Sequence, residues 1–415
     1  MTAAASLQGL PAGALVGLTV LDLTTMLAGP FATMLLADHG ARVIKIEPPG
    51  GESTRLIGPH PPGGLKMEDG GYGAYFASTN RNKESLILDL KTEAGKDALR
   101  RLVDQSDVLI ENFRAGVMER LGLSYESLIA RNPKLVYASI RGFGDPRTGK
   151  SPLVDWPAYD VVSQAMGGIM AITGEKGGPP TKIGPGVGDI VPAMQSVIGI
   201  LAAVWHAQRT GRGQFVDVGM VDAVLSVCER MIYQYSYIGD VAGREGSGHP
   251  LLCPYGIFPA KDGFVALGIP KDDFFALFAK LIGQPALATD PRYARNADRA
   301  ARRDEVDAIV TAWTSARTKA EMAEVLGGQV PFGPIQTADE IFSSSHMAVR
   351  EMLIEVEHPG AEKPVVLAGP AIKMDRTPAS VRHRAPLVGE HSRRVLGDFG
   401  FEEGEIDRLV ADAQR

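Results

Sequence analysis

Short apolar runs alternate with longer stretches of helical period through the first half of the chain. LTVLDL (18–23) and RVIKIE (42–47) read as strands, and GPFATMLLADHG (29–40) between them reads as a helix. Pro30 falls in its first turn, where proline is tolerated, and Gly40 falls where a helix ends. Such a βαβ unit implies a parallel sheet. The pattern then repeats: SLILDL (85–90) precedes a helix from near Thr92, VLIENF (108–113) a second, and LVYASIRGF (135–143) a third. QFVDVGM (214–220) adds one more strand and leads into a helix from about Val221 to Ile238. Alternation over about 200 residues predicts a doubly wound, Rossmann-like α/β domain.

The pattern changes after Gly239. VAGREGSGHP (241–250) is a loop, and PYGIFPAKDGFVALGIP (254–270) reads as a hairpin turning at Lys261–Gly263. Helices follow at 271–282, 301–315 and 318–326, so 245–335 is expected to be a smaller α+β domain. The expected limits are a large domain over 1–220, a linker helix over 221–244, the small domain, and a linker region over 336–380. Residues 381–415 then return to the large domain. The segment 50–73 has no clear period and is long enough for a functional loop or lid.

A chain of 415 residues exceeds the size at which single cores stop growing, which agrees with two domains. At 45% hydrophobic and 22% charged residues the composition is that of an ordinary soluble protein. The net charge of −6 gives no reason to expect nucleic acid or an anionic membrane as partner. Cys228 and Cys253 are too few for a disulfide framework or a four-cysteine metal site, so a reduced, cytoplasmic setting is expected. The first residues lack the positive region of a signal peptide. The most apolar stretch, 190–207, is interrupted by Gln195 and Ser196 and reads as a core helix.

The eight histidines are scattered without metal-ligand spacing, and no phosphate-binding glycine loop or nucleophile elbow occurs. No metal and no tightly bound cofactor are expected. Candidate residues instead collect near the ends of the expected strands, and open α/β sheets bind ligands at the carboxyl ends: Asn112 and Phe113 end one strand with Arg120 in the next helix, and Lys91 follows another, which Asn82 and Lys83 precede.

Asp189 ends the glycine-rich run GEKGGPPTKIGPGVGD (174–189) and precedes the apolar helix. Two readings stand. As an N-cap its carboxylate would accept from the amide of Val191, since Pro192 has none to give. Alternatively it is a nucleophile. Tyr159 and Asp160 repeat the arrangement, a carboxylate at the start of a helix whose dipole favours its charge.

LDLTTMLAGPFATMLLADHGARVIKIEPP (21–49), NRNKESLILDLKTEAGK (80–96) and ENFRAGVMERLGLSYE (111–126) resemble class III CoA-transferases, the formyl-CoA transferase and carnitine CoA-transferase group. AYDVVSQAMGG (158–168), GDIVPAMQSVIGILAA (188–203) and TGRGQFVDVGMVDAV (210–224) continue the resemblance, which runs from about Gly17 to 396. It implies that Asp189, of the Gly188–Asp189 pair, is a nucleophile forming a mixed anhydride and then an aspartyl-CoA thioester. Gly246 and Gly248 are candidates for a glycine loop that covers it. Ala28, Leu88, Lys91, Asn112, Phe113 and Arg120 match CoA-binding positions, while Leu27, Tyr75, Tyr159, Asp160 and His249 fall to the substrate side.

There are departures from the family pattern. Leu27 stands where formyl-CoA transferase has an important glutamine, Pro48 where it has a CoA-contacting arginine, and the four-glycine insertion is absent. The two substitutions put formyl or oxalyl specificity in doubt, and the missing insertion fits transferases for larger acids. The expected acceptor is a small dicarboxylic acid, for which Arg141, His249 or Lys176 could supply a second positive charge. An α-methylacyl-CoA racemase is the alternative. It needs an acid/base pair, and no histidine occurs between His60 and His206 to partner Asp160. The resemblance further implies ring-shaped subunits interlocked as a homodimer.

Overall fold

The structure, a computed structural model, describes residues 13–412. They fall into two compact units, one of 13–169, 183–229 and 345–412 and the other of 170–182 and 230–344.

In the larger unit the strands are β1 (Thr19–Asp22), β2 (Arg42–Glu47), β3 (Lys83–Ile87), β4 (Val108–Glu111), β5 (Val136–Arg141) and β6 (Phe215–Gly219). They form one sheet in the order β3-β2-β1-β4-β5-β6, and every pair is parallel. That is the doubly wound order, whose direction reverses between β1 and β4 and opens a crevice at the strands' carboxyl ends.

Successive strand residues face opposite layers, as the period of two requires. Leu21, Ile44, Leu109 and Tyr137 enter one core layer with Leu99 and Leu102 of the helix Glu93–Val103. Val20, Val43, Ile110 and Ala138 enter the other, with α1 (Ala28–Asp38) and the long helix Val187–Thr210. Ala193, Ile200, Ala203 and Ala207 of that long helix are in this layer, whereas Ile198 and Trp205 on its other face are 69% and 62% exposed. By length and apolar composition the helix would suffice to cross a membrane. Its inward face instead packs on a sheet.

Three expected elements shift. β3 starts at Lys83 rather than Ser85, because Lys83 is buried and its ammonium is satisfied by Asp22 (3.0 Å), Asn80 (2.9 Å) and the Pro30 carbonyl (3.0 Å). The long apolar helix begins at Val187 rather than after Asp189. The expected helix over 221–238 is two helices, Met220–Ser226 and Glu229–Ile238.

In the smaller unit Tyr255–Ala260 and Gly263–Gly268 form the expected hairpin, paired from Tyr255↔Gly268 to Ala260↔Gly263. Phe332–Pro334 adds a third strand. Phe258, Val265 and Leu267 form a core with Phe275, Phe278, Val310 and Trp313 from the helices. The segment 170–182 joins this unit, where Gly174 and Gly178 accept from Gly246 N (3.0 Å) and Arg244 Nε (2.8 Å).

Candidate active site

Asp189 lies in the first turn of the helix Val187–Thr210, at its third residue; Gly186 is the capping residue. The amides of Asp189 and Ile190 donate to the Gly186 carbonyl at 3.0 and 2.9 Å. Capping of Val191 by Asp189 is therefore corrected. Asp160 does that work from outside: its Oδ1 accepts from the Gly188 amide at 2.8 Å, and Gln164 Nε2 donates to both its oxygens at 2.8 and 3.1 Å. Only glycine fits at 188, because a Cβ there would stand 2.4 Å from the Asp160 carbonyl oxygen.

The Asp189 carboxylate takes no hydrogen bond among the described residues. Burial, reinforced by the nearby charge of Asp160, pushes its carboxyl up to about 7. A carboxylate left free of partners and made more basic by burial is suited to attack rather than to capping.

Leu27 and Asp160 flank the Gly186 cap, and Tyr75 lies near enough to feel the charge of Asp189. A Cβ on Gly186 would meet Leu27 Cδ2 at 3.0 Å and Asp160 Cγ at 3.8 Å. The Tyr75 phenol is pushed up first by burial, then by the charges of Asp189, Glu52 and Asp160. The larger unit thus brings Leu27, Tyr75, Asp160 and Asp189 together. Tyr159, one residue before Asp160, is 61% exposed. The 50–73 segment holds a cavity of about 750 Å³ lined by Leu56, His60, Lys66 and Glu68 among others, and Leu27, Tyr75, Asp160 and Asp189 do not line it.

The residues matched to CoA binding differ in what they leave free. Lys91 and Arg120 are exposed cations whose side chains make no hydrogen bond or ion pair among the described residues, so both can meet phosphate. Ala28 is the first residue of α1. Asn112 uses its amide on the β1–α1 loop, accepting from Thr25 N (2.9 Å) and donating to Thr25 O (2.7 Å). The Phe113 backbone is held on both sides, its N–H by Glu111 (2.7 Å) and its carbonyl by Arg141 Nε (3.1 Å). Leu88 is 2% exposed and packs into the core, which leaves only its backbone for a ligand.

Two of the expected pocket cations are corrected. Arg141 is 7% exposed, paired with Glu111 (2.6 Å) and Asp145 and bonded to Phe113, so it has no charge to offer a substrate. His249 is pushed below the usual histidine range by burial and by Arg230 and Arg303, and is neutral at pH 7. Its ring packs edge-on to Tyr255 at 5.4 Å. Gly246 adopts a left-handed conformation (φ 62°), and the amides of Gly246 and Gly248 donate to Gly174 O (3.0 Å) and Glu245 O (3.1 Å). In this conformation neither amide is free to bind an oxyanion. Among the described residues no group of three or more histidine, cysteine or acidic side chains is placed to hold a metal.

Sequence reasoning missed Gln164, which orients Asp160. The only signal for Gln164 was its spacing of four from Asp160 on one helix face.

The fold agrees with comparisons to known proteins. The description "CoA-transferase family III" matches residues 15–392. The chain is 46% identical over 400 residues to succinyl-CoA:mesaconate CoA-transferase of Haloarcula marismortui, covering 96% of this chain and 100% of that one. It is 39% identical over 389 residues to succinate–glutarate CoA-transferase of Agrobacterium fabrum, covering 92% and 95%. The crystal structure of a CAIB/BAIF family protein from Brucella suis superimposes with a TM-score of 0.81 at 35% identity, covering 94% and 100%. The chain belongs to CoA-transferase family III. It is an enzyme that moves coenzyme A between an acyl-CoA and a carboxylic acid.

Proposed function

We propose that Asp189 carries the transfer covalently and that the acceptor is a small dicarboxylic acid. The observation that carries the first part is the partly buried carboxylate without a hydrogen-bond partner at the start of its helix. One Asp189 oxygen attacks the thioester carbonyl, the C–S bond breaks, and CoA thiolate leaves behind an acyl-aspartyl anhydride. The thiolate attacks the aspartyl carbonyl, which frees the donor acid and forms an aspartyl-CoA thioester. The acceptor carboxylate then repeats the two steps in reverse, and Asp189 is regenerated. Dividing one exchange into such steps is what covalent catalysis offers. Both intermediates are sensitive to water, so the reaction needs a site that excludes solvent.

Support for a dicarboxylate comes from relatives whose names specify mesaconate and glutarate. Of the three cations considered for its second carboxylate, Lys176 is exposed and makes no ion pair among the described residues. We further propose an interlocked homodimer, supported by the exposed apolar face of the long helix at Met194, Ile198 and Trp205.

Exchange measured with succinyl-CoA and a panel of acids tests the reading. Dicarboxylates should exceed monocarboxylates of equal length at least about tenfold in kcat/KM, and Asp189→Ala should abolish exchange with all of them. Equal rates for the two classes would remove the dicarboxylate assignment.

A further inference from the structure

We propose that Glu52 is a positioning residue for this reaction: it holds Met26 in a left-handed backbone conformation and so sets Leu27 and Ala28 against the helix that carries Asp189. Met26 has φ 68°, a region that a side chain bearing a Cβ enters at a cost. Its amide donates to Glu52 Oε1 at 2.8 Å. Glu52 is 2% exposed and fixed in turn, accepting from Thr54 Oγ1 at 2.5 Å and pairing with Lys45 at 2.5 Å.

Lys45 reaches the other end of the same loop and donates to the Thr24 carbonyl at 2.9 Å. Thr24 is also tied to Asp22 through its amide (2.9 Å) and hydroxyl (2.5 Å). Between them Thr25 is gripped by Asn112. Three consecutive loop residues are therefore each held by a side chain from a different element. A loop that merely joined β1 to α1 would need none of this. The next residue, Leu27, is the one whose side chain meets the Gly186 cap. Support of this kind from behind a site fixes reacting geometry to fractions of an ångström, where small displacements cost rate.

The inference rests on Asp189 being the nucleophile, and the test separates the two. Steady-state kinetics and hydroxylamine trapping on the parent, Glu52→Gln, Met26→Gly and the double variant read it out. Glu52→Gln should lower kcat about tenfold or more, with the KM for acyl-CoA within about threefold. Glycine adopts the left-handed conformation unaided, so Met26→Gly in the Glu52→Gln background should recover at least about threefold of kcat. A merely destabilised protein would lose active fraction without that recovery. Folded Glu52→Gln at parental kcat, or absence of rescue by glycine, overturns the proposal.

Should Glu52→Gln not fold, Met26→Val tests the same point with the ion pair intact. A β-branched residue resists positive φ, so kcat should fall at least about fivefold, and parental kcat overturns the proposal. Absence of an Asp189 hydroxamate on the parent would refute the nucleophile. Its presence on the parent with equal yield and rate in Glu52→Gln would refute only the positioning role.

Discussion

Replacing Asp189 by asparagine should abolish exchange while making the protein more stable. The carboxyl stands at about 7 against 3.8 for an ordinary aspartate, a difference of about three pH units. At about 1.4 kcal/mol per unit this is an upper bound of about 4 kcal/mol for ionising Asp189 in the folded protein. The group is only partly buried, so solvent reduces this to about 2 kcal/mol. The helix dipole acts in the opposite sense by about 0.3–1 kcal/mol, too little to reverse it.

The sign follows from linkage. An acid whose folded pKa is raised binds its proton more tightly when folded, so the parent loses stability as pH rises from about 4 to about 7. Asparagine at 189 has no such loss. Unfolding midpoints in urea should therefore nearly coincide for parent and Asp189→Asn at pH 4. The variant should gain about 2 kcal/mol by pH 8. A variant less stable than the parent at pH 8, or a difference that ignores pH, would refute the assignment of a partly buried, unpartnered carboxylate.

The same titration governs rate: kcat/KM for acyl-CoA should rise about tenfold per pH unit below 7 and level off above it, since only the carboxylate attacks. An inflection near 4 would contradict the burial argument. Gly188→Ala puts a methyl 2.4 Å from the Asp160 carbonyl oxygen. It should lower kcat about a hundredfold and cost about 1–3 kcal/mol of stability, read by kinetics and urea unfolding; parental kinetics would show that the Asp160–Gly188 contact does not fix Asp189.

The sheet was legible because its strands are apolar runs separated by helical periods, and the parallel order follows from that alternation. What escaped was every feature in which a distant polar side chain overrides the local signal. GPGVGD reads as flexible loop, yet the helix starts inside it because Asp160, far away in sequence, accepts from Gly188. Lys83 reads as the polar end of a loop, yet it opens a buried strand because Asp22 and Asn80 receive its ammonium. Arg141 reads as a cation free at a strand end, yet Glu111 on the neighbouring strand and Asp145 consume it. The proposed nucleophile was marked in the sequence by the Gly188–Asp189 pair of the family resemblance. Its freedom from the capping role was not, since that depends on a cap supplied by another helix. No residue between Val221 and Ile238 signals the break observed at Val227–Cys228.

The most direct test is to incubate the enzyme with succinyl-CoA, quench with hydroxylamine, and sequence the peptide containing residue 189 by mass spectrometry. A hydroxamate at Asp189, formed only when acyl-CoA is present, is the expected result. An unmodified Asp189 in enzyme that is turning over would mean that coenzyme A changes hands without this side chain forming a bond.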